Sequence, residues 1–420
     1  MNNDSMDPEQ IRTLAQQLAQ RLIAMRQTHH NPIQHPGSHL SDIPQSQTEM
    51  IPTTSSDTNI SQLTFQLNSL QTQDGLINQT PPSPSLTSIA TDPTIKEVQV
   101  NTDADQYASV PDPSVYEMDF INTYLRTNAL VLAFEETQLL EHACEQIPID
   151  KLVNEAEAMV KDYPNDSTDD IIIRRLLHWF KNEYFTWVNE PPCASCQGKT
   201  VAMGHTTPTA QERQDGAGIV ETYRCTQACP TITRFPRYGM PRILFSTRRG
   251  RCGEWANCFT VCCRALGYST RYVHDTTDHV WTEVWSVHKK RWIHCDACEA
   301  AYDQPLLYST GWGKSLSYCV AFSAEEVVDV TKRYTVDYDT AVVKRRKSIR
   351  EPVLAKFLHL LSESNLAKLK LDTTEIQSIR DRQSLEAEEL SGRHGDNRTI
   401  ETQERESGSD EWTRARGERR

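Results

Sequence analysis

The densest apolar stretch of the chain, Ile171-Ile-Ile-Arg-Arg-Leu-Leu-His-Trp-Phe-Lys, predicts a core helix, because too few of its positions are polar for a solvated one. Ser167 stands three residues before Asp170, a capping-box spacing, and Pro191-Pro192 bounds a helix that runs to about Val188. Met118, Ile121, Tyr124 and Leu125 carry a helical period upstream. Beyond Gly267 the period shortens to two. Thr270-Arg-Tyr-Val-His, His279-Val-Trp-Thr-Glu-Val-Trp and Arg291-Trp-Ile-His-Cys are aromatic and β-branched, which predicts strands. The last two read as a hairpin joined across 286–290. Helices first and antiparallel-type strands afterwards predict an α+β fold. Further on, Leu354, Phe357, Leu358 and Leu361 form a helical stripe that packs on the core or docks a partner. Lys344-Arg-Arg-Lys reads as a solvated helix face.

The first 110 residues show no such pattern. They hold 4 basic and 11 acidic residues, one Phe, one Tyr and no Trp. Such a stretch cannot bury enough apolar surface to offset its ordering entropy, which predicts a disordered polar tail over 1–112. Leu14, Leu18, Leu22 and Ile23 predict one short helix at 8–27, either partner-binding or transient. The Gly-, Glu- and Arg-rich stretch 391–420 reads as a second disordered tail. The net charge of −13 argues against general affinity for nucleic acid or an anionic membrane. No apolar run is long enough to span a bilayer. The start has no cationic segment leading into an apolar one, so no secretory signal is expected.

Twelve cysteines would suggest disulfides, but their placement suggests otherwise. Eleven fall between Cys193 and Cys319. Cys193-Ala-Ser-Cys196 and Cys225-Thr-Gln-Ala-Cys229 have the spacing of two metal knuckles, which suits structural zinc held by four thiolates. The second pair has three intervening residues where two are usual. Two disulfides are the alternative and would need an oxidising compartment.

Gly250-Arg-Cys-Gly-Glu-Trp-Ala-Asn-Cys-Phe puts Cys252 at the start of a helix that carries Ala256, Phe259, Cys263 and Leu266 and stops at Gly267. The positive end of a helix favours thiolate over thiol, and the flanking glycines leave room for a substrate. A thiolate nucleophile needs a base, and the base an orienting acid. His279 opens one strand and Asp296 ends the next, so a hairpin brings them to one end. On spacing alone, His274 and His294 remain alternative bases.

These segments resemble the peptide:N-glycanases, amidases with a transglutaminase-like (papain-like Cys-His-Asp) core. The resemblance runs from roughly Asp166 to Tyr334. It rests on the Trp179-Phe-Lys helix, the cysteine pairs, Arg234-Phe-Pro-Arg-Tyr, the Cys252 segment, Asp278-His-Val-Trp-Thr-Glu-Val, Arg291-Trp-Ile-His-Cys-Asp-Ala-Cys-Glu, Gly311-Trp-Gly-Lys and Val327-Val-Asp-Val-Thr. It implies a catalytic core over 113–340, with an inserted four-cysteine zinc subdomain at about 190–240, and a helical extension over 341–390. It places the catalytic roles on Cys252, His279 and Asp296, and the zinc on Cys193, Cys196, Cys225 and Cys229. It implies glycan contacts at Arg271, Glu283, Trp292 and Trp312, with Trp255 and Trp281 shaping the groove. The implied reaction cleaves the amide between Asn and the proximal N-acetylglucosamine of unfolded, misfolded glycoproteins, leaving Asp, in support of ER-associated degradation. The implied location is the cytosol, with the nucleus second. The implied partner is a proteasome shuttle protein carrying a ubiquitin-like domain, docked at the helix around Leu354 to Leu361. Transglutaminases and thiol proteases use the same triad, and a glycoprotein-binding scaffold without turnover would keep the same residues.

Overall fold

The computed structural model describes residues 107–392, except 108 and 228, together with 407–408. Apart from the few positions within those limits, the tails expected over 1–112 (with the helix at 8–27) and 391–420 lie outside the described residues. The main helices are α1 (Val115–Ala133), α2 (Thr137–Gln146), α3 (Ile149–Met159), α4 (Thr168–Trp179), α5 (Pro241–Thr247), α6 (Cys252–Ala265), α7 (Glu351–Lys368) and α8 (Thr373–Gly392). The strands are β1 (Thr186–Trp187), β2 (Thr200–Thr206), β3 (Ala217–Cys225), β4 (Ile232–Tyr238), β5 (Arg249–Gly250), β6 (Thr270–Asp275), β7 (His279–Ser286), β8 (Arg291–Asp296), β9 (Ala301–Tyr302), β10 (Cys319–Phe322) and β11 (Val327–Asp329).

A six-stranded sheet in the order β11-β10-β6-β7-β8-β9 is antiparallel throughout. The hairpin of β7 and β8 forms with Ser286 opposite Arg291, as the alternation predicts. One face of the sheet carries Tyr272, Val280, Val284, Ile293 and Cys295 into the main core, against Trp255, Phe259 and Cys262 of α6. The other face carries Val273 and Trp281 into a second core with Tyr308, Leu316 and Tyr334. Antiparallel sheets commonly leave one face wet. Here both are covered, so the alternating polar positions of β6 to β8 are interior too.

Helix α4 starts on its predicted cap. Ser167 Oγ accepts from the Asp170 amide at 3.2 Å, and Asp170 Oδ2 accepts from the Ser167 amide at 2.9 Å. It stops earlier than expected. A wide turn follows at Phe180–Tyr184, and Thr186 and Trp187 then pair in parallel with Arg249 and Gly250, beside Cys252. That pairing needs extended backbone, and it ends the helix before Val188.

One alternative is resolved and one expectation needs correction. The stripe Leu354, Phe357, Leu358 and Leu361 is buried in the main core, so those side chains are not an open docking surface. In the basic run, Arg346 is not solvated: it is buried and paired with Asp329 at 2.6 Å and Glu351 at 2.7 Å. No described helix is long and apolar enough to cross a membrane.

Candidate active site

Cys252 is the first residue of α6, preceded by extended Arg251. Gly267 has the left-handed φ of 83° that closes the far end, where Tyr268 N donates to Cys263 O at 3.2 Å. Cys258, Cys262 and Cys263 are fully buried, and burial pushes all three thiols up. Cys252 keeps partial exposure. The interior thiols of this helix pack, and the first one is reachable.

His279 Nε2 lies 2.8 Å from Asp296 Oδ2, and His279 is near enough to Cys252 to lower the thiol's pKa. With Nε2 committed to Asp296, Nδ1 is the nitrogen left for the sulfur. Asp296 is held from two more sides. The Cys298 amide donates to Oδ1 and the Tyr308 hydroxyl donates to Oδ2, each at 2.8 Å. The alternative bases are occupied elsewhere: His274 packs edge-on to Tyr124, and His294 Nε2 is 2.6 Å from Tyr308 Oη.

Burial opposes the Cys252 thiolate, but the hydrogen bond and charge of His279 outweigh it and hold the pKa below the usual thiol value. Burial also opposes the His279 cation. The charge and hydrogen bond of Asp296, joined by Cys252, overcome it and raise the imidazole to about 9. The Asp296 carboxyl falls well below its usual range, again against its burial, because His279 faces it. The three shifts together favour thiolate, imidazolium and carboxylate. It holds a nucleophile and a proton donor side by side, the arrangement for attack on an amide carbonyl and protonation of its leaving nitrogen.

The loop before the nucleophile is fixed by residues that local sequence pattern does not reveal. Buried Arg251 pairs with Glu221 through two nitrogens, both at 2.7 Å, and donates to Val188 O and Asn189 O. Arg237 joins Glu254 at 2.5 and 2.8 Å and Glu221 at 2.9 Å. Glu254 in turn accepts from the Arg251 amide at 3.0 Å. These two arginines tie β3 and β4 to the start of α6. Gly250 serves this packing rather than a substrate, since a Cβ there would collide with the Glu254 side chain. Around Gly253 there is open space. The one hint was the stretch Arg234-Phe-Pro-Arg-Tyr, which contains Arg237, but its partners are distant in the chain.

Cys193, Cys196, Cys225 and Cys229 meet where β2, β3 and β4 end, with all four sulfurs within 4.8 Å of one another. Cys193 and Cys229 are 3.7 Å apart, and Cys196 and Cys225 are 3.5 Å apart. The Cys196 and Ser195 amides hold the Cys193 thiol down to about 6. The quartet could hold a metal ion. None of the described cysteines forms a disulfide.

The chain matches the transglutaminase-like superfamily over residues 199–297 and the Rad4 transglutaminase-like domain over 269–391. It is 40% identical over 291 residues to a peptide-N(4)-(N-acetyl-beta-glucosaminyl)asparagine amidase of Yarrowia lipolytica, covering 68% of this chain and 80% of that protein. This chain belongs to the peptide-N(4)-(N-acetyl-beta-glucosaminyl)asparagine amidase family. The human amidase is 46% identical over 240 residues, 56% of this chain and 36% of that protein, and the Gallus gallus amidase is 42% identical over 274 residues, 62% and 42%. The chain spans about half or less of the length of the Gallus gallus, Arabidopsis thaliana and Mus musculus amidases. Among solved structures, one of the Rad4/XPC nucleotide excision repair complex aligns with TM-score 0.41 and 16% identity, over 66% of this chain and 60% of that one.

In this amidase-family chain the four expected glycan contacts separate into two places. Trp312 stands at the triad, its ring 5.1 Å from that of His279, and keeps partial exposure. Arg271, Glu283 and Trp292 do not reach the site in this structure. They are 0%, 0% and 1% exposed, and Arg271 lies over the Trp292 ring at 3.9 Å while bonding Glu283 and Glu386. Residue spacing puts Arg271 and Glu283 on the same sheet face as His279, but α8 covers that end with Glu386. Trp281 is also buried, its ring tilted against that of Tyr308 at 4.3 Å, and Trp255 packs in the main core.

Proposed function

We propose that this chain cleaves the amide bond between Asn and the proximal N-acetylglucosamine of N-glycans on misfolded glycoproteins. The placement of Cys252 at the start of α6, next to an imidazole that is itself held by Asp296, carries the proposal, and the amidase relatives supply the substrate class. The Cys252 thiolate attacks the side-chain carbonyl, and amides in the first turn of α6 bind the oxyanion. Protonated His279 gives its proton to the departing glycosylamine nitrogen. His279 then takes a proton from water, which opens the thioester and leaves Asp. The freed glycosylamine loses ammonia in solution. Trp312 offers an indole face to the sugar. A bulky glycan beside the peptide favours unfolded substrates, in line with a role in ER-associated degradation and a cytosolic, secondarily nuclear, location. Incubating a denatured high-mannose glycoprotein should convert Asn to Asp with release of an intact glycan, measured by mass. Cys252→Ala should abolish both, and turnover surviving in that variant would sink the assignment.

The metal is proposed to be structural zinc. A zinc–thiolate tetrahedron with bonds of about 2.3 Å has sulfurs about 3.8 Å apart, close to the two separations above. Cys193, Cys196, Cys225 and Cys229 would hold it, and it would fasten the β2–β4 unit that carries Glu221 and Arg237. A shuttle protein with a ubiquitin-like domain is the proposed partner. Its contact would use the outward side of α7, because the apolar stripe is committed to the core.

A further inference from the structure

Asp296 Oδ2 accepts two protons, one from His279 and one from Tyr308, and the second comes from a chain of bonds whose direction is forced. At its far end the Gln304 amide points at His294 Nδ1 at 3.3 Å. Nδ1 must then be the bare nitrogen, and the proton sits on Nε2. His294 Nε2 donates to Tyr308 Oη at 2.6 Å. The tyrosine's single proton is left for Asp296 Oδ2, which as a carboxylate can only accept. His294 is 1% exposed and Tyr308 0%, so water does not substitute for either. Burial lowers His294 to about 4, which keeps it the neutral imidazole the chain requires.

We propose that Tyr308 and His294 are positioning residues for the triad: their hydroxyl proton competes with His279 for Oδ2, fixes the carboxylate's rotation, and limits how tightly Asp296 holds the His279 proton. This deepens the amide-cleavage reading and rests on it. His279 must give up its proton to the leaving group, and an imidazole bound too strongly by its acid is a poor donor. The other titratable or charged groups facing this network are Cys252 against His279, Tyr334 and Cys298 near Tyr308, and Glu283 and Asp303 near His294. None of them offers Asp296 a replacement hydroxyl.

The test uses the full chain and a probe that needs no glycan. Carboxymethylation of Cys252 by iodoacetate, an anion attracted by the imidazolium, is followed on the Cys252 peptide by mass as a function of pH. The rate should fall on the alkaline side as His279 loses its proton, near pH 9 for the unaltered chain. In Tyr308→Phe the alkaline limb should move up by about half to one pH unit, the equivalent of one lost hydrogen bond. Turnover should drop severalfold in kcat with KM unchanged. His294→Asn should move the limb the same way by less, and should add nothing in the Tyr308→Phe background, because it acts only through the hydroxyl. An alkaline limb that stays in place or moves down in Tyr308→Phe overturns the proposal, even if thermal stability falls. A further shift from His294→Asn in that background also overturns it. If Tyr308→Phe does not fold, His294→Asn decides alone: no upward shift overturns the chain. A normal pH profile without any glycan release would instead count against the amide-cleavage reading and leave this network standing.

Discussion

The hairpin of β6 and β7 carries buried charged residues at each end, and the two ends differ in what they can do. At one end Asp275 lies opposite His279; four residues along, Arg271 lies opposite Glu283. Both ends are shut away from bulk water. The Arg271 end is built on fixed charges, with Glu326 beside Arg271 as the one carboxyl that burial raises. Arg271 bonds Glu283 and Glu386 through both terminal nitrogens, and Arg333 bonds Glu283 at 2.7 Å and Glu386 at 2.6 Å. Tyr334 Oη adds a donor to Glu283 at 2.7 Å. Guanidinium cannot release its proton at any working pH, so this end can only hold. At the His279 end the charge rides on a proton that an imidazole can lose, and one neighbour, Cys252, reaches the surface. Burial of charge therefore does not by itself mark a reactive site. A titratable atom with an accessible partner does.

The sharpest way to break this comparison is to remove the proton carrier. His279→Gln can still donate to Asp296 but cannot carry a proton to the leaving group. It should cut glycan release by about a thousandfold or more while the melting temperature changes by only a few degrees. The next largest effect is expected at the other end, in the opposite currency. Arg271→Leu strands Glu283 and Glu386 in the interior and should cost about 3–5 kcal/mol of stability, read by denaturant unfolding. Carboxymethylation of Cys252 should persist in the folded fraction. If Arg271→Leu instead leaves folding intact and abolishes glycan release, Arg271 touches substrate, and the saturated-cluster account fails.

A pH series separates the ends with a smaller effect. The pKa of His279 is raised, so its contribution to stability is full below the usual imidazole value and is lost as pH rises through about 9. Asp296, Glu283 and Glu386 are lowered, so their contributions are present above the usual carboxyl range and are lost only on acidification. Between pH 8 and 10 the loss of turnover should come from the His279 end. Turnover should fall roughly tenfold one unit past the His279 pKa. Turnover that stays level through pH 10 would mean that the proton donor lies elsewhere.

The parts of this picture carried by local spacing were legible in the amino-acid sequence. Ser167 and Asp170 marked a helix start because a capping box spans only three residues. Cys252, His279 and Asp296 could be brought together because helix start, strand start and hairpin register are all short-range facts. Only the family resemblance pointed to Arg271 and Glu283, which share the sheet face of His279. It could not show that Glu386, 115 residues after Arg271, closes one end of that face and leaves the other open. Arg237 and Glu254 escaped for the same reason, since they meet only after β4 has packed beside α6. Tyr308 left no signal at all. It lies in an irregular turn, and its bond to Asp296 follows from that turn's fold, not from a repeat.

The smallest predicted effect asks whether saturation depends on depth, and it compares two residues of one helix. Glu386 and Glu389 both reach Arg333 from α8, at 2.6 and 3.1 Å. The Glu386 side chain is 3% exposed and also grips Arg271, whereas that of Glu389 is 18% exposed. Glu386→Gln keeps the shape but removes a charge that both guanidiniums need, and should cost about 1.5–3 kcal/mol. Glu389→Gln weakens one partly solvated pair and should cost less than about 1 kcal/mol, with a loss that shrinks further in salt. Urea unfolding of the two variants at low and high ionic strength measures both. Equal costs, or a cost for Glu386→Gln that salt removes, would mean that this end is screened by solvent like any surface network, and the contrast with the triad end would then need another cause than burial.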